Sequence, residues 1–233
     1  METKKQESIS PENMRHVIIT CETLRNELND ALAKTGISYP VEWLESGLHN
    51  TPKVLKTKLD EVLSAVDADR VLLGIGFCGN SIEGIAAGDF ELIIPRVDDC
   101  ISLLIGSVKR RMEISSEYAA YFLTEGWLRG ERNIWVEYTY AAEKYGEELA
   151  QEMIEMMLGN YRTLGLLDTG VDDISALWDK SEVIAETLNL TRQTIPASTS
   201  YLQKLLTGPW PEEEFIVKAP GEKVTMSDLR VFH

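Results

Sequence analysis

The stretch LLGIGFCGNSIEGIAAGDFELIIPRVDDCISLLIGS, residues 72–107, sets a glycine-rich turn carrying Cys78 between two apolar runs and ends in a Pro-Arg-Val-Asp-Asp-Cys segment that delivers Cys100. RVLLGIG (70–76) reads as a strand apolar on both faces, the pattern of a parallel sheet covered on each side. FELIIP reads as the next strand, SIEGIAA as a short helix between them, and DCISLLIGSVKRR as a helix whose cap is Asp98 or Asp99.

Upstream, HVIIT is a buried strand. CETLRNELNDALAKTG follows as a helix with Leu24, Leu28 and Leu32 on one face and Gly36 at its stop. ISYPVEWL is extended, and NTPKVLKTKLDEVLSAVDAD is a helix opened by Asn50 or Thr51 and Pro52, burying Leu55, Leu59, Val62 and Val66. YAAYFLT and YRTLGLLDTG supply later strands, and FIVK a last one. A long amphipathic helix is expected to bury Tyr145, Leu149, Met153 and Met157. The expected fold is α/β: a mostly parallel, Rossmann-like sheet with helices on both faces, plus a helical C-terminal portion. Residues 1–14 read as a flexible tail and 15–233 as a single domain, with room for two lobes divided near 125–131.

In a parallel sheet, ligands collect where strands run into helix N-termini. Cys21 follows VIIT, Cys78 follows VLLGIG, Cys100 opens the helix after ELIIP, and His49 precedes the helix begun by Pro52. All four therefore fall on one rim. Three thiols and an imidazole meet the ligand count of a tetrahedral zinc site, and they also suit an iron–sulfur cluster or corrinoid cobalt. Beside them Glu22 and Asp99 are candidate acid–base groups, and Gly76, Gly79 and Asn80 a candidate cofactor-binding loop. Asp98, Asp168 and Arg96 add charge to the rim, and Trp127, Trp135, Tyr121 and Tyr138 are available as aromatic walls for a cationic substrate. His16 and His233 are read as incidental.

GIGFCG also spells G-x-G-x-x-G at Gly74, Gly76 and Gly79. Gly74 lies inside the apolar run and the following helix is short, which argues against dinucleotide binding; a P-loop is not spelled anywhere. A metal-free reading remains, in which Cys78 or Cys100 is a nucleophile activated by His49 or by a helix N-terminus.

Net charge is −15, which disfavours nucleic acid because like-signed phosphates are repelled. No run reaches the roughly 18 apolar residues of a membrane helix, and the first residues lack a signal peptide's apolar stretch. A cytoplasmic protein is expected, with free cysteines rather than a disulfide framework.

Several segments, among them ITCETLRNEL, GLHNTP, LLGIGFCGNSIEGI, IIPRVDDCISLLIGS and NYRTLGLLDTG, together resemble the domain of unknown function numbered 1638, from about residue 16 to 226. The shared motif covers Cys21, His49, Cys78, Gly79, Asp99 and Cys100, and Asp98 stands where some relatives have room for His. The resemblance implies a setting beside corrinoid-dependent methyltransferases, in one-carbon metabolism of methylated amines or related compounds. It implies a corrinoid protein or methyltransferase as partner and allows a small-molecule substrate. Whether the chain is itself an enzyme or an accessory protein docking on a corrinoid protein stays open.

Overall fold

A computed structural model describes residues 14–130 and 132–229. The first sheet is laid down in sequence order: β1 (His16–Cys21), α1 (Arg25–Thr35), β2 (Val41–Leu44), α2 (Pro52–Ala65), β3 (Arg70–Gly74), β4 (Glu91–Pro95). Its strand order is β2-β1-β3-β4-β8, parallel except for the edge strand β8 (Phe215–Lys218), which runs antiparallel to β4. Residues Ile18, Ile19, Leu72, Leu73, Ile93 and Ile94 are wholly buried, as continuous apolar runs must be when helices cover both faces.

The chain leaves β1 toward β2 and returns past β1 to β3, so right-handed crossovers put α1 and α2 on opposite faces. The order reverses between β1 and β3, and a crevice opens there at their C-terminal ends. α1 is stopped at Gly36, which takes a left-handed conformation (φ 70°). α2 begins with Pro52 and buries Leu55, Leu59 and Leu63, with Val62 and Val66 packed at the margin.

Four features depart from the sequence reading. SIEGIAA is a run of turns rather than a helix, because Gly84 (φ 74°) and the bonds Gly84 N–H to Val224 O and Ala87 N–H to Glu222 O tie it to the C-terminal segment. The helix after β4 is two: α3 (Cys100–Ile105) ends at left-handed Gly106, and α4 (Val108–Tyr118) is capped by Ser107.

The long amphipathic helix is also divided. After α5 (Glu125–Arg129) come α6 (Ile134–Tyr145) and α7 (Glu147–Leu158), broken at Gly146 (φ 88°). The face α7 buries is Ala150, Ile154 and Leu158, whereas Tyr145, Leu149 and Met157 are 49%, 46% and 59% exposed. A four-residue spacing is met equally by two stripes one position apart, and the wrong stripe was the more obvious one.

The fourth departure is a second sheet. β5 (Ala120–Leu123), β6 (Thr163–Asp168) and β7 (Thr191–Pro196) form a parallel three-stranded sheet of their own, with α8 (Ile174–Thr187) between β6 and β7. β7, TRQTIP, is polar and mostly exposed, so it carries no apolar signal of a strand. After it, α9 (Ser200–Thr207) packs back on α1, α3 and β3, and β8 closes the first sheet.

The two sheets turn their C-terminal rims toward one seam. Asn26 of α1 donates to Asp172 beyond β6 at 2.6 Å, and Thr199 donates to Asp30 at 2.7 Å. At Gly126 a Cβ would stand 2.0 Å from the Thr23 carbonyl oxygen, so only glycine allows α5 to rest against the end of β1. Glu27 lies at this seam, wholly buried, with neither carboxyl oxygen hydrogen-bonded among the described residues. No helix among the described residues is long and apolar enough to cross a membrane.

Candidate functional site

The exits of β3 and β4 run side by side and are stitched by Phe77 N–H to Val97 O at 2.9 Å and Cys78 N–H to Asp98 O at 2.7 Å. At Gly76 the two backbones nearly touch: a Cβ would lie 2.5 Å from the Asp99 Cα and 2.6 Å from its nitrogen. Beyond it Cys78, Gly79 and Asn80 have φ of 42°, 67° and 65°. A side chain in that region costs about 1 kcal/mol or more, so the stitching holds Cys78 in a conformation it would not choose. Gly79 also passes close under α2, its absent Cβ 2.9 Å from Pro52 Cγ.

This turn brings Cys78 to Cys100, the first residue of α3, and Cys100 in turn to Cys21 at the end of β1. The three are free thiols, 3%, 9% and 6% exposed for Cys21, Cys78 and Cys100. Cys100 is the centre of the trio. Hydrogen bonding from Cys21 and Cys78, then the Gly76 N–H and the nearby His49, hold its thiol well below the ordinary range against the opposing effect of burial. Cys21 and Cys78 are pushed well above it, first because they hydrogen-bond to Cys100 and next because they are buried. One negative charge is therefore shared by the trio and rests on Cys100.

Three soft donors at a sheet's switch point suit a thiophilic ion by their chemistry. Their present arrangement is a row rather than a ring: Cys100 contacts both neighbours, while Cys21 and Cys78 act on each other only at longer range. Among the described residues no group of three or more His, Cys, Asp and Glu side chains stands ready in ligating geometry. His49, on a single helical turn (Leu48–Asn50) before α2, is half-buried on the same rim.

The carboxylates separate by role. Asp99 caps α3, accepting from Ser102 N–H at 2.9 Å, and pairs with Arg111 at 3.1 Å; burial raises its pKa despite that guanidinium. Asp98 accepts from the Ser102 hydroxyl and faces Arg111 at 3.4 Å. Glu22 is exposed and paired with Arg25 at 2.6 Å, beyond the thiols rather than among them. Asn80 is exposed at the tip of the Cys78 turn. With no helix after that turn, the glycines have no helix N-terminus to offer a pyrophosphate.

Other rim candidates are structural. Asp168 holds its own turn through Gly170 N–H at 3.1 Å, and Arg96 donates to the carbonyls of Glu212 and Asp228. Trp135 stacks on Tyr138 and Tyr121 meets Tyr161 edge-on, within or beside the second lobe's core, while Trp127 packs between both cores. His16 stacks on Tyr39 with centroids 4.4 Å apart, and His233 lies outside the described residues.

The sequence reading missed a cavity of about 780 Å³ at the seam. Its walls come from the end of β1 (Glu22, Thr23), the start of α1 (Arg25), the turn after β2 (Glu45–Leu48, Thr51) and the segment around α5 (Gly126, Arg129, Gly130, Arg132). The signal for it was the run LRGERN directly after a strand, two arginines on a glycine-bearing turn at a rim position.

No curated protein and no solved structure matches the chain. The model of the family described as "Protein of unknown function (DUF1638)" matches residues 43–206, which carry His49, Cys78 and Cys100 of the thiol cluster and the second sheet entire. The chain, with its thiol trio at the switch point of a mostly parallel α/β fold, belongs to that family.

Proposed function

We propose that Cys21, Cys78 and Cys100 together hold a soft metal, zinc or an iron–sulfur cluster, with His49 as a fourth donor or with that position open to substrate. The observation that carries the reading is the convergence of three buried thiols, from three separate strand ends, on one point of the rim. Three protein ligands and one open position are the set through which zinc acts as a Lewis acid. Loading requires Cys21 and Cys78 to lose their protons and swing inward from the present row, so uptake releases protons and strengthens as pH rises. Asp99 and Arg111 fix the N-terminus of α3 and thereby the position of Cys100.

The family resemblance extends this reading to corrinoid-dependent methyl transfer in one-carbon metabolism, with a corrinoid protein or methyltransferase as partner and corrinoid cobalt as the metal alternative. That resemblance is the sole support for the wider setting. Adding cobalamin or a corrinoid protein to the anaerobic protein should change the absorbance spectrum or give a calorimetric signal, and silence in both would remove it.

Protein purified without oxygen is expected to carry about one zinc per chain, or iron with sulfide, by elemental analysis. Cys78→Ser and Cys100→Ser should each lower occupancy about tenfold or more with the circular dichroism unchanged. Full occupancy in both variants would overturn the ligand assignment. The lowered pKa of Cys100 favours one second reading, a metal-free cysteine nucleophile. It requires metal-free protein as purified and alkylation of Cys100 at neutral pH much faster than that of an ordinary thiol.

A further inference from the structure

We propose that the cavity at the seam binds the phosphate group of a small phosphate ester. The inference goes beyond the thiol centre and holds whether or not those cysteines carry a metal.

In a chain of net charge −15, this one cavity is lined by three guanidinium groups, Arg25, Arg129 and Arg132. Arg25 is already engaged, paired with Glu22 at 2.6 Å and laid over the Trp43 ring at 4.1 Å. Arg129 and Arg132 have neither a hydrogen bond nor an ion pair among the described residues. Arginine presents up to five donors in a rigid fork that matches the oxygens of an anion, so two such forks facing one space are unspent recognition capacity.

A second observation points the same way. Thr23 is 5% exposed and lines the cavity, yet its hydroxyl has no hydrogen-bond partner among the described residues. The hydroxyls of Ser46 and Thr51, also on the wall, make no side-chain hydrogen bond there either. A buried hydroxyl left unbonded is costly unless something else satisfies it. Glycines at 47, 126 and 130 keep the walls low, and the Arg132 side chain rests against Gly47, where a Cβ would meet its Cβ at 2.6 Å.

The donor count selects the anion. Two free forks and three hydroxyls offer more donors than the two oxygens of a carboxylate can accept, whereas a phosphate monoester offers three terminal oxygens and close to two negative charges near neutral pH. The cavity's volume exceeds what a bare phosphate fills, leaving room for the esterified group. Two of its walls run directly into Cys21 and His49, so that group lies beside the thiol rim.

The test is calorimetric titration of the full chain with inorganic phosphate and with glycerol 3-phosphate, against acetate at matched ionic strength. Saturable binding of both phosphates, and weaker binding of acetate, is expected. An Arg129→Gln/Arg132→Gln double variant should lose about tenfold or more in affinity, and Thr23→Val should weaken binding without touching charge. Cys100→Ser should bind phosphate as the parent chain does, which separates this site from the metal reading. No saturable phosphate binding, acetate binding as tight as phosphate, or an unchanged affinity in the arginine double variant would each overturn the proposal.

Discussion

Gly76→Ala is expected to destabilise the chain by about 3 kcal/mol or more, read as a lowered urea midpoint with little change in slope. The new methyl would stand 2.5 Å from the Asp99 Cα and 2.7 Å from its carbonyl carbon. Neither atom can swing aside as the end of a side chain could. Relief has to come from parting the exits of β3 and β4, and those exits are held by the Phe77–Val97 and Cys78–Asp98 backbone bonds. Breaking them leaves buried amides unpaired and frees Cys78 from its left-handed conformation. The thiol trio should come apart with the turn: the Gly76 N–H that helps hold the charge on Cys100 moves, and Cys78 no longer reaches it. Thiol alkylation in the native state should therefore quicken as stability falls. A variant that unfolds within about 1 kcal/mol of the parent chain would show that the two exits are not as tightly stitched as their geometry implies.

How far the sequence could be read follows from which residues had only one physical use. RVLLG and ELIIP are apolar on both faces, and a strand buried on both faces has few places to go but a covered parallel sheet. Cys21, Cys78 and Cys100 each ended an apolar run, and the convergence of strand ends in such a sheet is a property of the fold, so their meeting could be anticipated from the order of elements. Features that depend on distance could not. Gly76 and Gly126 look like ordinary turn glycines until the opposing backbone is in place. Tyr145, Leu149 and Met157 satisfied the helical period as well as Ala150, Ile154 and Leu158 did, and only packing decides between two stripes one residue apart. TRQTIP is a strand because β6 offers it an edge, not because its residues prefer one. The separation into two sheets likewise rests on long-range pairing, and with it the seam, the cavity and Arg129 and Arg132.

Glu27 shows the largest electrostatic consequence of that seam. Its carboxyl is wholly buried in α1 with both oxygens unbonded, and burial raises its pKa from 4.5 to about 7. Asp172 and Asp30 push in the same direction, while Arg129 and the residue's own backbone N–H oppose them. The folded chain thus binds this proton more tightly than the unfolded one. Stability from this group is fully present below about pH 4.5 and is lost as pH rises to about 7, a change of about 3 kcal/mol by linkage. Glu27→Gln keeps the shape and removes the titration. The variant is expected to be more stable than the parent by about 2 to 3 kcal/mol at pH 8, and by less than about half of that at pH 5.5. Urea unfolding at pH 5.5, 6.5 and 8 measures the gain while staying above the isoelectric point of about 4.7, where solubility falls. A gain that does not vary with pH would mean that Glu27 does not titrate in this interval. A loss at pH 8 would mean that its carboxylate is ionised and held by Arg129 across the seam, in which case the two lobes are joined there by charge rather than separated from it by a proton.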